Sequence, residues 1–235
     1  MSSPLEPLVE GLIRAFQLIA SFDPEVYGIM FLSLRVSGTA TILAALVAIP
    51  FGAFVGLHEF VGRRLLINVV NTLMGLPPVV VGLVVYLILS SRGWLGPLNL
   101  LYTPTAMIIA QLIMCVPIVA GITISSVRSV EKKVVDSAKS LGATDWQVSW
   151  TILSEARTGL MTAIITAFGA AISEVGAIMI VGGNIQYYTR ALTTAIVLET
   201  RMGEFDLALA LGIILLALSF AVNLLLTHLQ MREAR

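Results

Sequence analysis

The chain has 235 residues, of which 57% are hydrophobic and 12% charged, and its 14 basic and 14 acidic residues cancel. This composition excludes a disordered chain, and the zero balance excludes a cationic nucleic-acid binder. The lone Cys115 excludes a disulfide scaffold, which leaves a protein whose main solvent is lipid.

Residues 1–24 predict an amphipathic helix. Leu5, Leu8, Val9, Leu12, Ile13, Phe16 and Ile19 recur at helical spacing, while Glu6, Glu10 and Arg14 stand four apart on another face. Three charges in so short a segment disfavour hydrocarbon, so a helix lying at the membrane interface fits better than a sixth span. No basic residue precedes Arg14, which argues against a signal peptide.

Residues 25–235 read as one transmembrane domain. The charge-free runs Val36–Leu57, Leu65–Ser91 and Gly93–Val127, with the later apolar stretches, place five spans at about 30–57, 66–90, 105–126, 159–182 and 207–229. The runs do not alternate with period two, so a β-barrel is excluded. Gly52 and Gly56 form a Gly-x-x-x-Gly packing pair in the first span. Pro77 and Pro78, beside Gly75 and Gly82, interrupt the second, and Pro117 with Gly121 the third. Such breaks suit helix packing or the lining of a cavity, and both readings stay open.

The basic residues orient the chain. The loops carrying Arg63, Arg64, Arg128, Lys132, Lys133, Lys139, Arg157, Arg232 and Arg235 lie on one side, and those carrying Arg14, Arg92, Arg190 and Arg201 on the other. The richer set is expected in the cytoplasm, with the N-terminus outside and the C-terminus inside.

The longest polar stretch, 128–157, predicts two short helices. Val134, Val135, Ala138 and Leu141 mark one face, Gly142 ends the first helix, and Thr144 with Gln147 forms a capping box for the second. Trp146 and Trp150 need an apolar cover, either the protein's own helix ends and headgroups or another protein.

Two further regions hold candidate residues. Glu174 is the one acidic group inside a span, and it reads as a gate residue or as a hydrogen-bonded support for a kink near Gly176. The stretch 184–206 carries Asn184, Thr193, Thr194 and Arg190, whose guanidinium suits a tetrahedral oxyanion or an ordinary interfacial position. His58, His228 and Cys115 are too far apart for a local metal site, so no metal or cofactor is expected on this chain.

Asp136-Ser137-Ala138, three residues and then Gly142, placed before the last two spans, resembles the EAA motif of ABC importer permeases. Asp136 stands for the usual Glu, Ser137 for the first Ala, and Leu153-Ser154 for Leu-Pro. Ile172 to Ala177, with Ser173, Glu174 and Gly176, looks like a segment of molybdate-type permeases. Val181 to Ile185, Tyr188 to Arg190 and Leu192 to Thr200 are similar to the tungstate group. The resemblance covers roughly 25–230 and implies an all-α membrane protein, a five-helix type I ABC importer transmembrane domain.

What the resemblance implies is specific. Asp136, Ser137, Ala138, Gly142, Ala143 and Trp146 would couple to an ATPase. Pro77, Pro78, Pro117, Ser173, Glu174 and Gly176 would line the path or gate, and 184–206 would meet an extracytoplasmic substrate-binding protein. Partners would be a second copy of the chain, two ABC ATPase subunits and membrane lipid, in a bacterial or archaeal cytoplasmic membrane. No lysine follows a glycine, so no Walker A loop is present; ATP and magnesium would sit on the partner ATPase. The expected function is oxyanion import, tungstate before molybdate, sulfate or another small solute. The different-class reading, a stand-alone secondary transporter or channel, lacks internal repeats and buried ionisable clusters.

Overall fold

The computed structural model describes residues 6–233. Leu5 of the predicted amphipathic face and Arg235 of the basic set lie outside the described residues. The described residues form α1 (Glu6–Ala20), α2 (Pro24–Leu57), α3 (Arg63–Leu73), α4 (Pro78–Leu89), α5 (Pro104–Arg128), α6 (Lys132–Ser140), α7 (Asp145–Glu155), α8 (Arg157–Ile172), α9 (Gly176–Gly182), α10 (Leu192–Met202) and α11 (Phe205–Glu233).

Helices α2, α5 and α11 are each long and apolar enough to cross a membrane. The other two predicted spans are bent pairs, broken at Pro77 and Pro78 and just before Gly176, where the sequence places its interruption and its kink. The stretch 66–90 turns by 97° between α3 and α4, and 159–182 turns by 58° between α8 and α9. Apolarity set the length of these runs, but backbone chemistry broke them. Pro77 has no N–H to donate and sits in extended geometry as the cap of α4. Its carbonyl accepts the first bonds of the new helix, from Val80 N at 2.9 Å and Val81 N at 3.3 Å.

The core is a small-residue contact between α2 and α5. Ala40, Ala44 and Ala48 are buried and are followed at the same four-residue spacing by Gly52 and Gly56. A Cβ at Gly52 would lie 2.9 Å from the Ala120 carbonyl oxygen, and one at Gly56 would lie 2.8 Å from Val127 Cγ1. These pairings advance together along both chains, so α2 and α5 run parallel. Helix α8 runs back against them, with Ala163, Ala167 and Ala171 all buried. Lipid gives helices no hydrophobic reason to associate, and close backbone approach supplies the dispersion contact instead.

Helix α1 packs on α11 through its smallest residues. A Cβ at Gly11 would meet Leu209 Cβ at 2.8 Å, and Ala15 is buried. The predicted apolar face, Val9, Leu12, Ile13, Phe16 and Ile19, stays exposed. With 15 residues, α1 rises about 22 Å at 1.5 Å per residue, short of a hydrocarbon core of ~30 Å.

The ends of α2 are well closed. Asp23 Oδ1 accepts from Glu25 N and Val26 N, both at 3.0 Å, and Pro24 occupies the first turn. At the far end Arg63 is buried and donates to the Val55 carbonyl from Nε and to the Gly56 carbonyl from its terminal nitrogen, both at 2.8 Å, while pairing with Glu59. Two carbonyls that the helix end leaves without partners are thereby satisfied.

Candidate functional site

Helices α6 and α7 stand away from the bundle. Among the described residues α6 buries none of its side chains and α7 buries only Val148. The turn between them is a Schellman closure: Ala143 N donates to the Ala138 carbonyl at 3.1 Å and Gly142 N to the Lys139 carbonyl at 3.0 Å. Gly142 has φ +80°, a left-handed conformation that glycine adopts without strain, and a Cβ there would meet nothing within 4 Å. Gln147 Oε1 then accepts from Thr144 N at 2.8 Å, while Thr144 Oγ1 accepts from Gln147 N at 3.4 Å. The turn is thus fixed from both sides and open outward.

Its outer surface is bare. Leu141, Trp146 and Trp150 are exposed by 87%, 77% and 66%, beside a recess of about 760 Å³. The protein's own helix ends leave both indole rings uncovered. Asp136 and Ser137 are exposed as well, and Ala138 and Ala143 are half-buried. An exposed apolar rim on a rigid turn is the chemistry of a protein contact.

The two helix breaks meet at a second place. A Cβ at Gly176 would lie 2.8 Å from Val79 Cγ2, and one at Gly82 would lie 2.7 Å from Ala177 Cα. The first turns of α4 and α9 therefore lie together, with Val79, next to Pro78, against Gly176 and close to the Glu174 carboxylate. Glu174 is buried, its Oε1 accepts from Ala177 N at 2.9 Å, and its carbonyl accepts from Thr193 Oγ1 at 2.7 Å. The carboxylate caps α9, where the helix dipole and a free N–H both favour a negative group. Ser173 is exposed, with its hydroxyl donating to the Gly169 carbonyl at 2.7 Å. Pro117 lies apart, buried inside α5.

The segment from Asn184 to Arg190 folds onto the end of the bundle opposite α6 and α7. Thr189 Oγ1 donates to the Gly182 carbonyl at 2.6 Å and accepts from Ile185 N at 2.9 Å. Asn184 takes φ +50°, and its Oδ1 is buried without a partner. Arg190 pairs with Glu25 at 3.2 Å, so its charge is largely met by α2. Thr194 Oγ1 accepts from Ala191 N at 2.9 Å and so closes the start of α10.

Three features escaped the sequence reading. Arg35 falls within the first predicted span and is exposed on α2, beside a recess shared with Arg190. Its signal was visible, a charge one residue before the apolar run begins. Arg63 was read only as an orienting charge, and its capping role depends on a fold-back that spacing does not encode. Thr162 and Thr166 on α8 continue the exposed face of Ser173, already singled out from the sequence, as a stripe of hydroxyls. Spacings of four and seven put them on one face, which a helical-wheel reading of 159–182 contains.

Comparison with known proteins identifies the family and the fold. The family described as binding-protein-dependent transport system inner membrane component matches residues 48–235. The tungstate uptake system permease protein of Peptoclostridium acidaminophilum is 47% identical over 226 residues, covering 96% of this chain and 99% of that protein. A probable anion ABC transporter permease protein of Haloferax volcanii is 45% identical over 198 residues, covering 82% of this chain and 85% of that protein. Among solved structures, a chain of a bacterial alginate ABC transporter in complex with an alginate-bound periplasmic protein superposes with a TM-score of 0.75 at 19% identity, covering 97% of this chain and 88% of the other. That likeness identifies the fold as the type I ABC importer transmembrane domain.

Proposed function

The chain belongs to the family of inner membrane components of binding-protein-dependent transport systems, and on that premise we propose that it is the permease subunit of an ATP-driven tungstate importer. Two copies enclose a path, two ABC ATPases dock from the cytoplasm, and an external binding protein delivers the anion. ATP and magnesium act on the ATPases. The N-terminus is outside and the C-terminus inside.

The observation that carries this reading is the bare α6–Gly142–α7 turn, with Trp146 and Trp150 exposed on a backbone locked at both ends. A rigid element of this kind transmits force, whereas a mobile loop would absorb it. ATP-driven closure of the ATPases moves the turn, and α7 passes the motion to α8, which follows after Ala156. The broken helices α4 and α9 shift as a pair, because their backbones touch at Gly82 and Ala177. The Thr162 and Ser173 hydroxyls, which donate to the Thr158 and Gly169 carbonyls, offer lone pairs to the hydration water of an anion beside Thr166, contacts weak enough to release it.

Likeness in sequence to a tungstate uptake permease over nearly the whole chain supports the substrate. Molybdate and sulfate have the same tetrahedral dianion chemistry, so the choice among them rests mainly with the binding protein. The test is reconstitution of the chain with its ATPase and binding protein in liposomes. Tungstate uptake that requires ATP is the expected result. Uptake without ATP, or failure to retain an ATPase on purification, would overturn the reading.

A further inference from the structure

The end of the bundle opposite α6 and α7 holds two recesses on either side of the Arg190–Glu25 pair. The one beside α1 measures about 520 Å³ and holds Arg14 and Arg190 against Asp23, Glu25 and Glu199, a surplus of negative charge. The other measures about 290 Å³ and holds Arg35 and Arg190 against Glu25 alone, a surplus of positive charge. We propose that this second recess is a binding site for a tetrahedral oxyanion at the membrane surface, the phosphate of a phospholipid headgroup, held by Arg35 with Arg190 behind it.

Four observations carry the assignment. Arg35 is exposed and has no hydrogen bond or ion pair among the described residues. Arg190 spends one terminal nitrogen on Glu25 and keeps a buried Nε without a partner. The charge-free run Val36–Leu57 has 22 residues and so rises about 33 Å, close to the ~30 Å hydrocarbon core, which sets Arg35 at headgroup level. Tyr187 and Tyr188 line the same recess with Phe31, and all three are exposed; tyrosine is the side chain of the membrane interface.

The chemistry follows from the placement. An exposed guanidinium at headgroup depth reaches for phosphate, and its fork of donors matches a tetrahedral oxyanion. Phe31 and Ile29 give the first acyl carbons an apolar wall. The neighbouring recess, with three carboxylates, would repel the same group. A free dianion such as tungstate offers the same geometry without the acyl chains, so the source must be distinguished by experiment. The site itself depends only on the chain being a membrane subunit, and not on the substrate proposed above.

The test uses the full importer complex, purified in detergent and stripped of lipid, with binding of dioleoylphosphatidylglycerol measured directly. Arg35→Gln is expected to weaken binding about tenfold, the effect of losing a charge-assisted hydrogen bond. Arg35→Lys should retain most of it, and Arg92→Gln, outside the recess, should match the unmodified chain. Excess sodium tungstate should leave the lipid in place. If tungstate binds in place of the lipid, and Arg35→Gln weakens that tungstate binding, the oxyanion site stands with the free dianion as its ligand. If Arg35→Gln changes neither, the proposal is overturned. Should that variant fail to assemble, the unmodified chain decides: equal binding of phosphatidylglycerol and of dioleoylglycerol, which lacks the phosphate, overturns it as well.

Discussion

Gly82 of α4 lies against Ala177 of α9, so near that a Cβ on the glycine would sit 2.7 Å from the Ala177 Cα and 3.1 Å from its carbonyl oxygen. Two interrupted helices thus touch backbone to backbone just beyond their breaks. Gly82→Val should overpack this crossing and destabilise the chain by about 1–3 kcal/mol. A lower thermal unfolding midpoint in detergent, with transport reduced in parallel, is the expected result. An unchanged midpoint would mean that the two backbones are not closely packed at this crossing.

Glu174 distinguishes a cap from a charge. Its Oε1 accepts the Ala177 N–H, and a glutamine oxygen can accept the same bond. Glu174→Gln should therefore fold and transport nearly as well as the native chain, whereas Glu174→Ala should lose about 0.5–2 kcal/mol, the usual effect of removing a helix cap. Thermal unfolding and ATP-dependent uptake measured on both variants check this. A transport defect in the glutamine variant at full stability would assign the carboxylate charge to the path.

Trp146 and Trp150 are exposed in the single chain, so truncating them should leave its own stability within about 0.5 kcal/mol, as for ordinary surface positions. Their role would show in the complex. Trp146→Ala and Trp150→Ala are each expected to weaken ATPase docking by at least about 2 kcal/mol if they are anchors of that contact. Equilibrium binding of the purified ATPase to the permease in detergent measures this. Gly142→Trp adds bulk at the same turn at φ +80° and should abolish docking while membrane insertion continues.

Arg63 closes α2 by donating to the Val55 and Gly56 carbonyls. Arg63→Met keeps the apolar stem and removes the donors, and should destabilise the chain by about 1.5–3 kcal/mol for hydrogen bonds to a charged group. Arg63→Lys should recover only part of this, because a single ammonium cannot reproduce the fork. Thermal unfolding of the two variants, compared with Arg64→Met at the exposed neighbour, is the measurement.

The turn from Gly142 to Gln147 was legible in the sequence because its determinants are local. A glycine at the C′ position and a Thr-x-x-Gln pair act through atoms three to five residues apart. The breaks in the second and fourth spans were legible only as kinks. Hydropathy sums a run and does not register where the chain turns, so 66–90 read as one span although its backbone bends by 97°. The pairing of Glu174 with α9 was half visible. Its burial followed from the energetics of a carboxylate in lipid, but its partner is its own next helix, with Thr193 of α10 on the carbonyl. Arg190 was legible as a basic residue near the surface, and its engagement by Glu25, 165 positions away, was not.

The sequence by itself determined the solvent, the number of apolar runs, the position of the α6–α7 turn and the family likeness. The first three follow from transfer free energy and from interactions within a few residues, and the likeness rests on the motif residues from Asp136 to Gly142 and from Ile172 to Thr200. Tertiary structure alone decided which small residues become contacts, as Gly11 on Leu209 and Gly82 on Ala177 do, and which charges find partners. Arg63 folds back onto the end of α2, and Arg190 pairs with Glu25, while Arg35 is left exposed with no partner among the described residues. The reason is one of range: a carbonyl or carboxylate acts over a few ångströms, and only the packed chain brings residues distant in sequence within that reach.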